Sequence, residues 1–128
     1  MPNLDRDARA DGPAITGFAG NGFRVDGIAV HEGGLLMTPE SAIGWDAPAI
    51  DALTPDIIAP LLEQVEQPEF LLLGTGARLV RPSAAFVSAL EAKGIGVEAM
   101  DSRTAARAWG LLRGEGRMIV AALLPLNG

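Results

Sequence analysis

The chain contains no cysteine, no tyrosine and a single histidine. Disulfides, thiolate metal sites and a cysteine nucleophile are therefore excluded, and the absence fits a reducing compartment. Aromatic residues make up only 5% of the 128 positions, so Leu, Ile, Val and Ala must fill the interior. Long hydrophobic runs are missing too. The longest, Met118 to Leu124, has seven residues, against about 20 for a membrane-spanning helix. The first residues, MPNLDRDARADGP, alternate acids with arginines and carry no apolar segment of the kind that directs secretion. Blocks of like charge are also lacking. The net charge of −6 is spread along the chain, which disfavours nucleic acid as a partner because an acidic domain repels a phosphate backbone at long range. These absences lead us to expect a soluble, cytoplasmic protein with no transmembrane segment.

What is present is apolar and patterned. At 48% hydrophobic residues the chain can bury a core, and its length suits one domain. Residues 1–13, charged and aperiodic, read as a flexible tail, and residues 14–128 as a single α/β domain. Within AITGFAGNGFRVDG, Asn21-Gly22 separates two short strand candidates and predicts a type I′ hairpin. The next stretch, GIAVHEGGLLMTP, repeats the idea with a turn at Gly33-Gly34. A further short strand lies around Ile43 to Trp45, so the N-terminal part reads as an antiparallel meander. After Pro48 the character changes. Thr54-Pro55-Asp56 opens a helix with Thr as N-cap, and Ile57, Ile58, Leu61, Leu62 and Val65 mark its face. Pro60 should shorten it, kink it or move its start. Phe70 to Leu73 is a continuous apolar run, as for a strand covered on both faces. A helix over Ser83 to Lys93, a strand over Ile95 to Ala99, a helix over Ser102 to Arg113 and a strand over Met118 to Leu124 complete a βαβαβ unit. That alternation calls for parallel pairing and right-handed crossovers.

Two loops carry candidate chemistry. Gly74-Thr75-Gly76 follows the apolar strand, with Arg78 and Arg81 behind it. Successive backbone N–H groups there could cradle an anion, or the glycines could simply permit a tight turn. The third Gly of a dinucleotide-binding loop and the Lys of a P-loop are both missing. Met100-Asp101-Ser102-Arg103 follows a second parallel strand and should reach the same sheet end, where open α/β sheets bind ligands. Asp101 or Ser102 also suits a helix cap. The tentative ligand-binding set is therefore Gly74, Thr75, Gly76, Arg78, Met100, Asp101, Ser102 and Arg103. His31-Glu32 at the Gly-Gly turn has no recognisable nucleophile or metal partner nearby. Trp45 and Trp109 read as core anchors. We assign no catalytic residue, metal or cofactor.

The ordered set FRVDG with its hairpin, a strand ending at Trp45, LLLGTG, KGIGVEAMDSRTAARAWGLLRGEGR and MIVAALL resembles a family of small domains. That family includes a mitochondrial respiratory complex I assembly factor and many bacterial proteins of unknown function. The resemblance covers roughly residues 14–124. It implies a three-layer α/β domain with a mixed central sheet, a β-hairpin or meander layer, and helices on one side. One position departs from it. The family commonly has an aromatic followed by Asn in the second helix, where this chain has Trp109-Gly110, so no ligand role transfers to position 110. The resemblance further implies a non-enzymatic interaction or assembly module with protein partners, compatible with peripheral association with a membrane complex. The alternative class is a small anionic-ligand binder, or a weak enzyme, using the cleft between the two loops. The sequence carries no mark of oligomeric state.

Overall fold

The N-terminal residues form a three-stranded antiparallel sheet, β1 (Ile15–Ala19), β2 (Gly22–Val25) and β3 (Ala29–His31), in chain order. The structure is a computed structural model and describes residues 12–127; residues 1–11 of the expected flexible tail lie outside the described residues. Ala19 pairs with Gly22 and only Gly20 in the intervening loop has positive φ, +58°. The hairpin therefore turns on Gly20-Asn21 with the sign pattern of type II′. The expected type I′ turn on Asn21-Gly22 needs two residues at positive φ.

The second sheet has five strands in the order β5-β4-β8-β6-β7. They are β4 (Leu35–Met37), β5 (Ala42–Gly44), β6 (Phe70–Gly74), β7 (Gly96–Met100) and β8 (Val120–Leu123). Pairing is parallel on both sides of β6 and antiparallel on both sides of β4, so the sheet is mixed. Gly33-Gly34 does not close a hairpin between β3 and β4. It carries the chain from one sheet into the other, since β3 pairs with β2, and β4 with β5 and β8. Burial explains the change. Leu35, Leu36 and Met37 are all buried, whereas Ala29 and Val30 are exposed. A strand without a polar face belongs inside a covered sheet.

The expected helix at Thr54 is a 3-10 turn, Pro55–Ile58, running into the single α-turn α1 (Ala59–Leu62), with Pro60 in its first turn. Thr54 makes no side-chain cap bond and Val65 is fully exposed. Two longer helices follow, α2 (Ala84–Glu91) and α3 (Ser102–Gly114). Ser83 caps α2 by accepting a hydrogen bond from Phe86 N–H at 3.1 Å, and Gly94, at positive φ, follows its end.

The α/β class, the three layers, the mixed central sheet and the meander layer are as the resemblance implies. The helices, however, divide between the two faces of the sheet. Leu72, Ala121 and Leu123 point to one face, where they meet Phe23 and Val25 of the meander and Ala105 and Trp109 of α3. Leu71, Leu73 and Val120 point to the other, against Ile58, Phe86 and Leu90. Topology requires this split. The chain steps from β6 to β7 in one direction, then back across β6 to β8. Two right-handed crossovers in opposite directions place their helices on opposite faces.

Candidate functional site

That reversal makes the carboxyl ends of β6 and β7 a topological switch point, the place where an open α/β sheet usually leaves a crevice. The two chain segments that carry the eight candidate residues meet there. Gly74 ends β6 opposite Met100, which ends β7. Thr75, Gly76 and Arg78 follow β6, while Asp101, Ser102 and Arg103 open α3.

The two loops are tied to each other. Thr75 N–H donates to Met100 O at 2.8 Å, and Ser102 N–H donates to Gly76 O at 2.9 Å. Gly76 N–H donates to Ser102 Oγ at 2.9 Å, and that hydroxyl donates onward to Leu124 O at 2.7 Å. Leu124 N–H returns to Gly74 O at 2.9 Å. One serine oxygen thus joins the ends of β6, β8 and α3, and its side chain is wholly shielded from water. Thr75 does comparable work on the following loop. Its buried hydroxyl donates to Arg78 O at 2.7 Å and accepts from Val80 N–H at 3.0 Å. Gly76 holds φ = +105°, a conformation that a side chain would strain. The N–H groups of Thr75 and Gly76, which would have faced an anion, point at these internal acceptors.

Asp101, not Ser102, caps α3. Its carboxylate accepts from Thr104 N–H at 3.1 Å and from the Thr104 hydroxyl at 2.6 Å. The Thr104 hydroxyl, then its N–H, hold the Asp101 carboxyl below its usual range, with a smaller contribution from the Arg107 charge. Arg78 and Arg103 are exposed. Arg81 lines a shallow groove with Leu79, Val87 and Val97 on the α2 side of β7. His31 is half-buried at the end of β3, and no cluster of three metal-ligating side chains occurs among the described residues. Trp109 is buried in the core, while Trp45, partly exposed, donates from Nε1 to Leu123 O at 3.1 Å.

Beside the closed crevice lies a group that the sequence reading missed. Arg103 and Arg107 hold their guanidinium carbons 5.4 and 6.0 Å from the centre of the Phe18 ring. Phe18 stands edge-on to Phe23, with ring centres 6.1 Å apart and planes at 67°. The spacing of the two arginines, one helical turn, is legible in the sequence. The placement of Phe18 depends on how the meander docks on α3, which no local pattern encodes.

Comparison with known proteins agrees with this fold. A family model described as Protein of unknown function (DUF498/DUF598) matches residues 15–124. An uncharacterised protein of Rhodobacter capsulatus is 38% identical over 114 residues, covering 89% of this chain and 86% of that protein. NADH dehydrogenase (ubiquinone) 1 alpha subcomplex assembly factor 3 of Homo sapiens is 30% identical, covering 98% of this chain and 67% of that protein. Among solved structures, an outer membrane protein from Bartonella henselae superposes with a TM-score of 0.78 at 30% identity, covering 90% of this chain and 97% of that one. A Bordetella pertussis protein described as a Mth938-like domain gives 0.77 at 27% identity, covering 99% and 93%.

Proposed function

The chain belongs to the DUF498/DUF598 family, and from that premise we infer that it is a non-enzymatic module that docks on partner proteins during the assembly of a larger complex. The observation that carries this reading is the closed switch point. The backbone donors that would serve a small ligand are already bonded to Met100 O and Ser102 Oγ. An anion would have to displace both acceptors, whereas docking needs no such rearrangement. Two further facts support it. A curated relative is named an assembly factor. Phe18, Arg103 and Arg107 form an exposed cluster, and aromatic residues and arginine are the types enriched where protein partners dock. No helix among the described residues is long and apolar enough to cross a membrane. We place the protein in the cytoplasm, with any membrane association made through its partner.

The test is affinity capture of the tagged chain from its own cells under mild detergent, read by mass spectrometry. We expect one partner set, recovered in near-stoichiometric amount in repeated captures. Failure to recover any specific protein sinks the reading. Inorganic phosphate provides the counter-test. It should leave Tm unchanged; a saturable rise that disappears in the double variant Arg78→Ala with Arg81→Ala would establish an anion site instead.

A further inference from the structure

Helix α3 buries Ser102, Ala105, Ala106 and Trp109, and turns Arg103, Arg107, Gly110, Leu111 and Gly114 outward. The outward residues, at spacings of four, three, one and three, form one stripe along the helix. At 1.5 Å per residue it runs about 17 Å. Among the described residues, no packing contact accounts for its glycines. Glycine is the poorest helix former after proline, yet a Cβ built at Gly110 meets nothing within 4 Å. Internal packing therefore does not require glycine there. Leu111, the next residue, leaves 72% of its surface in water.

Among the described residues the arginines have little ionic support: the Arg107 charge acts on the Asp101 carboxylate only as a minor influence. Arg103 and Arg107 are like charges one turn apart, and Arg103 lies in the first turn of the helix, where a cation is disfavoured. Among the described residues neither has a carboxylate within ion-pair distance. Asp101, the nearest acid in sequence, is engaged in capping the helix. The two guanidinium groups instead lie against the ring of Phe18, itself 36% exposed. One guanidinium group binds one carboxylate through two parallel hydrogen bonds, so two exposed arginines suit a partner that carries more than one acid.

We propose that the outward stripe of α3, with Phe18, is the docking surface for an acidic amphipathic helix of a partner protein. The proposal rests on the interaction reading above and gives it a place and a partner chemistry. Carboxylates of the partner would pair with Arg103 and Arg107. Its apolar residues would pack on Phe18 and Leu111, and its backbone would approach closely at Gly110, where no side chain intervenes. Other occupants fit less well. A second copy offers no carboxylate from the stripe: a two-fold parallel to α3 sets arginines against arginines, and one across it sets them against Gly110, Leu111 and Gly114. An anionic membrane calls for four to eight clustered cations, and a net charge of −6 repels both bilayer and nucleic acid.

The absence of cysteine from the chain makes the test clean. Gly114→Cys, at the end of the stripe, and Ile43→Cys, on β5 at the opposite part of the central sheet, are each labelled with a benzophenone maleimide. Each is then irradiated in lysate of the protein's own cells. We expect the label at 114 to mark an Asp/Glu-rich, helix-forming segment of one protein. The segment, made as a synthetic peptide, should bind the full chain. Arg103→Glu with Arg107→Glu should weaken that binding at least tenfold. Gly110→Leu should weaken it as much while raising Tm, because leucine favours the helix but blocks close approach. A basic or neutral segment, a second copy, nucleic acid or lipid at position 114 overturns the proposal, as does binding that ignores these substitutions. Adducts confined to position 43 would refute the surface and leave the interaction reading standing. No adduct at either position, with empty affinity captures, would remove both.

Discussion

Ser102→Ala removes a single oxygen from the point where three chain ends meet. Its effect can be worked from the bonds it breaks. Ser102 Oγ accepts from Gly76 N–H and donates to Leu124 O, in a position with no exposure to water. Alanine leaves both backbone groups without that partner. An orphaned buried donor or acceptor costs about 1–3 kcal/mol, partly offset because the hydroxyl itself no longer has to be buried. The expected loss is about 2–4 kcal/mol, a large fraction of the roughly 5–15 kcal/mol that a domain has in total. Urea denaturation measures it as a lower midpoint at unchanged slope. Ser83→Ala supplies the contrast. Ser83 also accepts from a backbone N–H, that of Phe86, but on an exposed helix end, and its loss should cost about 1 kcal/mol. If Ser102→Ala costs less than about 1 kcal/mol, or no more than Ser83→Ala, the crevice is not sealed as described and an anion-binding role regains force.

Leu72, wholly buried on the meander side of β6, should lose about 2–5 kcal/mol on replacement by Ala; less than about 1 kcal/mol in the same melts would mean that the sheet is not covered on that face. Gly76→Ala should destabilise by about 1–3 kcal/mol, since φ = +105° is strained for alanine; a neutral or stabilising result refutes the assigned backbone. Gly110→Ala should raise stability by about 0.5–1 kcal/mol in thermal melts, because its Cβ enters open space, and a loss would show packing that the structure lacks. The cap at Asp101 predicts a pH dependence. Its folded pKa is depressed, so its contribution is fully present above the unfolded carboxylate value near ~3.9 and is lost as pH falls through the lower folded value. Asp101→Ala should therefore cost about 1 kcal/mol at neutral pH. The gap to the parent should close in acid, and a gap independent of pH would remove Asp101 as the cap.

Much of the C-terminal half was legible because its signals are local. Phe70 to Leu73 has no polar face, Ser83 sits one residue before a helical pattern, and Gly94 stands just past it. Ala105 and Trp109 share a face at helical spacing. The N-terminal half reads less well because three-residue strands carry no period, and their pairing is decided by partners far along the chain. Leu36 pairs with Ala122, a contact that no local window contains. One available signal was nonetheless passed over. Leu35-Leu36-Met37 is as uniformly apolar as Phe70 to Leu73, and the same rule would have placed β4 inside the covered sheet rather than in a meander. The division of the helices between faces could likewise be derived, but only once the strand order is known. The candidate loops were found correctly as neighbours. Their closure was not, because whether a hydroxyl points into a crevice or seals it depends on side-chain geometry.

The closed crevice and the open stripe have one origin, the phase of α3 at its first turn. Consecutive helical residues are rotated by about 100°, so Ser102 and Arg103 cannot face the same way. With Ser102 turned inward to bond Gly76 and Leu124, Arg103 has to point outward, and Arg107 follows it one turn later. A ligand site at the switch point would need the opposite arrangement, with an unbonded Ser102 hydroxyl or the Arg103 guanidinium turned toward the Gly74-Thr75-Gly76 loop. Here the hydroxyl is consumed by the fold and the guanidinium lies over Phe18. The helix start thus directs its polar chemistry away from the sheet and onto the outer surface. On the docking proposal, stability rests on Ser102 and recognition on its neighbour Arg103, so substitutions one position apart should disturb one without the other.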